Sequence, residues 1–218
     1  RLGVSTTTYD AEGEPTAERP VTLDAAQVAA ALDAFRGPLR QRVPPHSAVK
    51  RDGRPLYERA RRGEALDLPE RAVVIYALEL LAFAPPDVTL RVVCSSGTYI
   101  RSLAHDLGAA LGCGGHVAAL RRTAVGAFTV AQAVSLSALT EQTLTSHLLP
   151  PEAAVAHLPR LDVDEAEAAR LSLGQRLAAP AGALPGEMGV FGPDGRFVGV
   201  AAVDGDVLRP RKMLALDL

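Results

Sequence analysis

Two cysteines among 218 residues, with no Cys-x-x-Cys, exclude a disulfide framework and a cysteine-built zinc centre. Cys94 lies in an apolar stretch and Cys113 in a glycine-rich turn, so reduced thiols and a cytoplasmic location are expected. The five histidines are scattered, none at a metal-ligand spacing with both cysteines, and no metal is expected. No apolar run approaches the roughly 20 residues of a membrane-spanning helix, and Arg1-Leu2-Gly3 opens no signal-peptide pattern. Phosphate-binding glycine loops and nucleophile elbows are missing too, which leaves an unrelated metabolic α+β enzyme little support. Nor is there an overall excess of positive charge. With 23 Lys and Arg against 25 Asp and Glu, the net charge is −2, so a nucleic-acid partner has to be argued from how charge is distributed.

What is present is a globular composition, 48% hydrophobic and 22% charged, enough for one large or two modest domains. Charge is segregated. Between Arg36 and Arg62 stand Arg36, Arg40, Arg42, Lys50, Arg51, Arg54, Arg59, Arg61 and Arg62 against Asp52 and Glu58, a local excess of seven. Residues 10 to 33 and 152 to 167 hold much of the acid. The pattern fits one face for phosphate, or a solubilising charged loop.

The chain is organised around residues 88 to 111, where the hydrophobic period changes. Val88, Leu90, Val92 and Cys94 alternate as in a strand; Ile100, Leu103, Ala104, Leu107 and Leu111 recur at helical spacing. Ser95-Ser96-Gly97 is the turn, and Thr98 is the expected N-cap, which puts Tyr99 and Arg101 in the first helical turn. A cation there opposes the helix dipole by roughly 0.3–1 kcal/mol, which points to an anion nearby. On spacing alone, Tyr99 reads as a half-buried packing residue and Arg101 as a solvated one.

Residues 2 to 23 suggest strands and turns. Asp24 with Gln27 is a capping box before the stripe Val28, Ala31, Leu32, Phe35, and Gly37-Pro38 stops that helix. Residues 38 to 53 read as a proline-extended basic loop, and Pro55 to Arg62 as a short helix with Pro in its first turn and Leu56, Tyr57 and Ala60 facing inward. Residues 72 to 83 form a strand pairing with 88 to 94. His116 to Arg122 is a short helical or turn segment, with His116 structural rather than catalytic, and Thr123 to Val130 returns to strand. Residues 135 to 149 are a short helix and connection. Pro150-Pro151 and Pro159 mark a boundary; beyond it Asp164 with Glu167 caps a helix ended by Gly174, and short strands turn at Pro193-Asp194-Gly195 and Asp204-Gly205-Asp206. The fold class is α+β, a mixed, largely antiparallel sheet with flanking helices, and residues 1–158 and 159–218 are the expected domains.

The string Cys94-Ser95-Ser96-Gly97-Thr98-Tyr99-Ile100-Arg101-Ser102-Leu103-Ala104-His105-Asp106-Leu107-Gly108, followed by Leu111-Gly112-Cys113-Gly114-Gly115-His116-Val117 and Leu120-Arg121-Arg122-Thr123, resembles the bacterial tRNA pseudouridine-55 synthase (TruB) family. So do Leu2 to Gly13 and Pro44 to Gly63, in the family's order, and the C-terminal segment is similar to its small RNA-binding PUA-like β-barrel. His46 stands where the family usually has Tyr, and Thr7 where relatives often have an acid.

The resemblance implies isomerisation of a tRNA T-loop uridine by base flipping, without a cofactor, by a monomer whose partner is the tRNA T-arm. It assigns Tyr99 as the platform for the extruded base, Arg101 as the holder of the catalytic carboxylate and Leu120 as a contact to the base or Tyr99. Lys50, Arg51, Arg54, Arg121, Arg122, Arg209, Arg211 and Lys212 are implied RNA contacts, with Tyr57 an active-site wall or a core residue. The family's catalytic aspartate lies in a Gly-Thr-Leu-Asp-Pro-type loop. No such string occurs here, since Leu32-Asp33, Leu66-Asp67 and Leu161-Asp162 are not followed by Pro. As the chain starts with Arg1 and enters the family's pattern in mid-domain, that aspartate is expected upstream, in a longer polypeptide. The alternative is a non-catalytic RNA-binding protein that retains tRNA contacts and lacks the carboxylate.

Overall fold

The structure, a computed structural model, describes residues 1–51, 53–64 and 66–214. Asp52 of the basic stretch lies outside the described residues. By its internal contacts the chain divides into two compact units, Arg1–Arg121 and a second from Arg122 onward.

In the first unit the elements are β1 (Val4–Thr6), β2 (Pro15–Glu18), α1 (Ala25–Leu32), β3 (Gly37–Arg42), β4 (Lys50–Arg51), β5 (Arg54–Pro55), α2 (Leu56–Arg61), β6 (Glu70–Ala84), β7 (Asp87–Cys94) and α3 (Ile100–Ala110). Helix α1 starts where Asp24 and Gln27 close their reciprocal capping box, and it buries Val28 and Leu32. The expected pairing of the two long strands is present: β6 and β7 run antiparallel, Leu78 opposite Val92 and Leu80 opposite Leu90.

The loop expected from residue 38 is instead a strand at its start. Strand β3 pairs with β6 through Gly37↔Ile75 to Arg42↔Glu70, giving a sheet ordered β3-β6-β7. Pro38 is compatible because β3 is an edge strand in that order, where a missing N–H is tolerated. One apolar cluster of Leu32, Ile75, Leu78, Leu103 and Leu107 joins α1, β6 and α3. Fully burying a leucine stabilises by roughly 1.5–3 kcal/mol, so this cluster fixes α3 on the sheet. Closeness is also required at Gly108, where a Cβ would lie 2.3 Å from the backbone of Gly114 and Gly115.

Pro55 is not inside α2; it is the N-cap, extended at φ −61° and ψ 142°. Leu56 is fully buried, with Tyr57 and Ala60 half-buried. The 116–122 segment is not helical: Gly115 and Val117 make isolated bridges to Leu2 and Asp10, and the chain then runs irregularly to Arg122.

The second unit contains β8 (Ala124–Val125), β9 (Phe128–Thr129), α4 (Leu144–His147), β10 (Arg160–Asp162), α5 (Glu165–Ser172), β11 (Leu177–Ala178), β12 (Gly186–Phe191), β13 (Phe197–Asp204) and β14 (Val207–Met213). The Asp164–Glu167 capping box and the turns at 193–195 and 204–206 stand where the sequence puts them. Strands β10-β12-β13-β14-β11 make a curled five-stranded half-barrel around Leu171, Val190, Val198, Ala201 and Leu208, as expected for a PUA-like module.

Candidate active site and RNA-binding residues

The start of α3 brings Tyr99 and Arg101 together, by means the local sequence does not reveal. Thr98 is not the N-cap; its hydroxyl donates back to Ser95 O at 2.9 Å, and Tyr99 takes the N-cap position without a side-chain cap. Tyr99 is held instead from β3. Gln41, only 3% exposed, accepts the Tyr99 N–H at 2.7 Å and donates to Tyr99 O at 2.9 Å. The Arg71 guanidinium lies 5.6 Å from the centre of the half-buried Tyr99 ring.

Arg101 has the anionic partner its position demands, and that partner is Asp10. Its Nη1 donates to Asp10 Oδ2 at 3.0 Å and to Thr8 O at 3.2 Å, while Nη2 donates to His46 O at 2.8 Å. Three of the five N–H groups are thereby used; among the described residues, Nε and the second Nη2 hydrogen meet no acceptor. Because residue 46 contributes a backbone carbonyl, His in place of the family's Tyr leaves this contact intact.

Asp10 is itself held by Thr8, whose hydroxyl donates to Oδ1 at 2.5 Å, and by the Glu12 N–H at 3.1 Å. Partial burial pushes its pKa up, but hydrogen bonds from Thr8, Glu12 N–H and Arg101, with the Arg101 charge, outweigh that and hold it below the ordinary value. Beside this pair Tyr9, at φ 64°, stacks on His105 with ring centres 3.9 Å apart. Burial raises the Tyr9 pKa, assisted by Asp106, and burial likewise raises Asp106 against the opposing charges of His105 and Arg42.

Leu120 is 65% exposed, and its chain segment is fastened three residues earlier, where Val117 N–H donates to Tyr9 O at 3.0 Å. His116 is buried with Nδ1 2.8 Å from Val4 O; a carbonyl only accepts, so Nδ1 carries the proton, which ties this segment to β1.

The basic stretch is partly neutralised by acids from elsewhere. Asp33 pairs with Arg36, Glu70 with Arg40, Asp67 with Arg51 and Glu64 with Arg59. Among the described residues these four outside acids offset more than half of the sequence excess of seven. Lys50, Arg51, Arg54 and Arg121 are exposed. Tyr57 is half-buried, its hydroxyl donating to Glu58 at 3.3 Å and its ring 5.7 Å from the Arg61 guanidinium. In the second unit Arg122, Arg211 and Lys212 are exposed and Arg209 pairs with Asp204 at 3.2 Å. The described residues include no group of three or more metal-ligating side chains and no helix long and apolar enough to cross a membrane.

Sequence reasoning missed Gln41 and Asp10. Gln41 left one signal, a polar residue between Leu39 and Val43 in the inward alternation.

Three family models together match nearly the whole chain: TruB family pseudouridylate synthase (N terminal domain) over residues 1–100, tRNA pseudouridylate synthase B C-terminal domain over 101–156, and tRNA Pseudouridine synthase II, C terminal, over 158–214. The tRNA pseudouridine synthase B of Ralstonia pickettii is 46% identical over 233 residues, covering 99% of this chain and 73% of that protein. Its counterpart in Xanthomonas oryzae pv. oryzae is 48% identical over 215 residues, 94% and 68% of the respective chains. Among solved structures, one from a Cbf5-Nop10-Gar1 complex superposes with a TM-score of 0.70 at 26% identity. That match covers 88% of this chain, which spans 63% of the solved one.

Proposed function

The chain belongs to the TruB family of pseudouridylate synthases, and from that premise we propose that its protein converts a uridine in the tRNA T-loop, position 55, to pseudouridine. The N1–C1′ bond breaks, the base turns, and C5 bonds to C1′; C5 loses a proton and N1 gains one, so atoms balance without an oxidant or cofactor. The uridine has to leave its stack first, at a cost of a few kcal/mol that an aromatic face offsets.

The observation that carries this reading is the rigid placement of Tyr99 and Arg101 two residues apart at one helix start, both fastened by partners distant in sequence. Tyr99 presents the ring on which the uracil rests. Arg101, locked by Asp10, Thr8 and His46, presents its remaining N–H groups to the carboxylate that the family places near C1′, a planar fork that a lysine cannot reproduce. Leu120 contributes an apolar wall. Lys50, Arg51, Arg54, Arg121, Arg122, Arg209, Arg211 and Lys212 meet phosphate, Tyr57 stands at the cleft wall, and residues 159–218 act as a PUA-like RNA-binding domain. The protein acts as a cytoplasmic monomer on the T-arm.

Tritium release tests the reaction. tRNA carrying uridine tritiated at C5 is incubated with the protein that includes the family's Asp loop. Release of one tritium per tRNA, abolished when the T-loop uridine is replaced by cytidine, is expected. Stoichiometric binding of the same tRNA without release would favour the non-catalytic RNA-binding alternative.

A further inference from the structure

We propose that Gln41 and Arg71, opposite one another across β3 and β6, form a positioning pair that sets both the direction of the Tyr99 ring and the phase of the helix bearing Arg101. The proposal rests on the reading of Tyr99 and Arg101 given above.

The Gln41 amide grips Tyr99 at both peptide groups, doing for one residue what a neighbouring strand's backbone does for a sheet. Tyr99 O also accepts the Leu103 N–H at 3.1 Å, the hydrogen bond that begins α3, so the amide holds the point from which the helix is phased. An apolar side chain would satisfy this inward strand position more cheaply. Burying an amide is unfavourable unless both its ends are bonded, and here both bonds go to Tyr99. Arg71 grips the same turn from the other side: Nη1 donates to Gly97 O at 3.1 Å, with the guanidinium 5.6 Å from the Tyr99 ring centre. Gly97 is needed for its φ of +79°, and a Cβ there would lie 2.8 Å from Arg71 Nη1, close enough to push the guanidinium aside. Two side chains from adjacent strands therefore hold the backbone of one residue and flank its ring.

The test compares single-turnover tritium release with tRNA affinity for Gln41→Met, Gln41→Glu, Arg71→Met and, as control, Tyr99→Leu, all in the protein that includes the Asp loop. Displacing a reacting group by about 1 Å can lower a rate on the order of a hundredfold. Gln41→Met should therefore lose roughly ten- to a hundredfold in rate at near-unchanged affinity, and Arg71→Met should lose less. Gln41→Glu provides a readout that general loosening does not move. Its protonated carboxyl accepts and donates as the amide does, while its carboxylate cannot donate, so its rate relative to the native protein should rise as pH falls. Arg71 is half-exposed, so Arg71→Met decides the matter if Gln41→Met does not fold. Native rates for Gln41→Met and Arg71→Met beside a slow Tyr99→Leu, or equal losses of rate and affinity, would overturn the pair alone. A fast Tyr99→Leu would overturn the underlying reading of the site.

Discussion

Replacing Asp10 by asparagine isolates the ion pair that anchors Arg101. Oδ1 of Asp10 accepts from Thr8 and from the Glu12 N–H, and Oδ2 accepts from Arg101. An asparagine keeps an oxygen for the first two and turns an NH2 toward the guanidinium, so the loop survives while one charge-assisted bond becomes a donor-to-donor contact. Hydrogen bonds to charged groups contribute roughly 1.5–3 kcal/mol, and breaking a fully buried pair costs about 3–5. The two side chains are 25% and 21% exposed, so solvent screens the pair and about 1–2 kcal/mol is the expected loss at pH 7. Because Asp10 titrates below its ordinary value when folded, its contribution is present above the unfolded-state pKa and fades as pH falls through the folded one. Urea unfolding of the native protein and Asp10→Asn should differ at pH 7 and converge in acid. The rate of pseudouridine formation should fall as well, since Arg101 loses its anchor. Equal stability at pH 7 together with an unchanged rate would refute the assignment of Asp10.

Lys50→Ala with Arg54→Ala should weaken cognate and non-cognate tRNA alike and reduce the salt slope of binding by roughly 0.7–0.9 for each phosphate no longer neutralised; an unchanged slope in a titration from low to high salt would remove both from the phosphate face. Asp106 has the opposite sign from Asp10. Burial raises its folded pKa, so ionisation at pH 7 opposes folding, and Asp106→Asn should unfold at a higher temperature at pH 7, with the gain vanishing as pH falls through the raised pKa. A lower melting temperature at pH 7 would show that Asp106 is instead held by interactions favouring its charge.

The elements legible in the sequence are those whose cause is local. The Asp24–Gln27 and Asp164–Glu167 boxes each lie within four residues, and the period change at 95–97 announces both β7 and α3. Strand β3 is hidden because its ladder is supplied by residues 70–75, and Pro38 is a loop signal unless the edge position is known. Thr98 fails as a cap because its hydroxyl turns back to Ser95 O, while the Tyr99 N–H is taken by Gln41, 58 residues away and invisible to local pattern. A cation opposing the helix dipole announces an anion, but nothing near it in the chain singles out Asp10, 91 residues earlier. Likewise the basic excess between Arg36 and Arg62 overstates the field, because its neutralising acids arrive through folding.

The central claim is that Tyr99 and Arg101 serve chemistry more than affinity. Base–aromatic stacking is worth roughly 1–3 kcal/mol, a modest share of binding spread over many phosphates, whereas a misplaced uracil or carboxylate acts on the barrier itself. Tyr99→Leu keeps apolar bulk without an aromatic face, and Arg101→Lys keeps charge without the planar fork. Single-turnover pseudouridine formation at saturating enzyme, measured beside filter-binding affinity for the same tRNA, should show both variants slowed far more than weakened, with non-additive effects when combined. Near-native single-turnover rates for both would contradict the account and return the two side chains to packing and solvent.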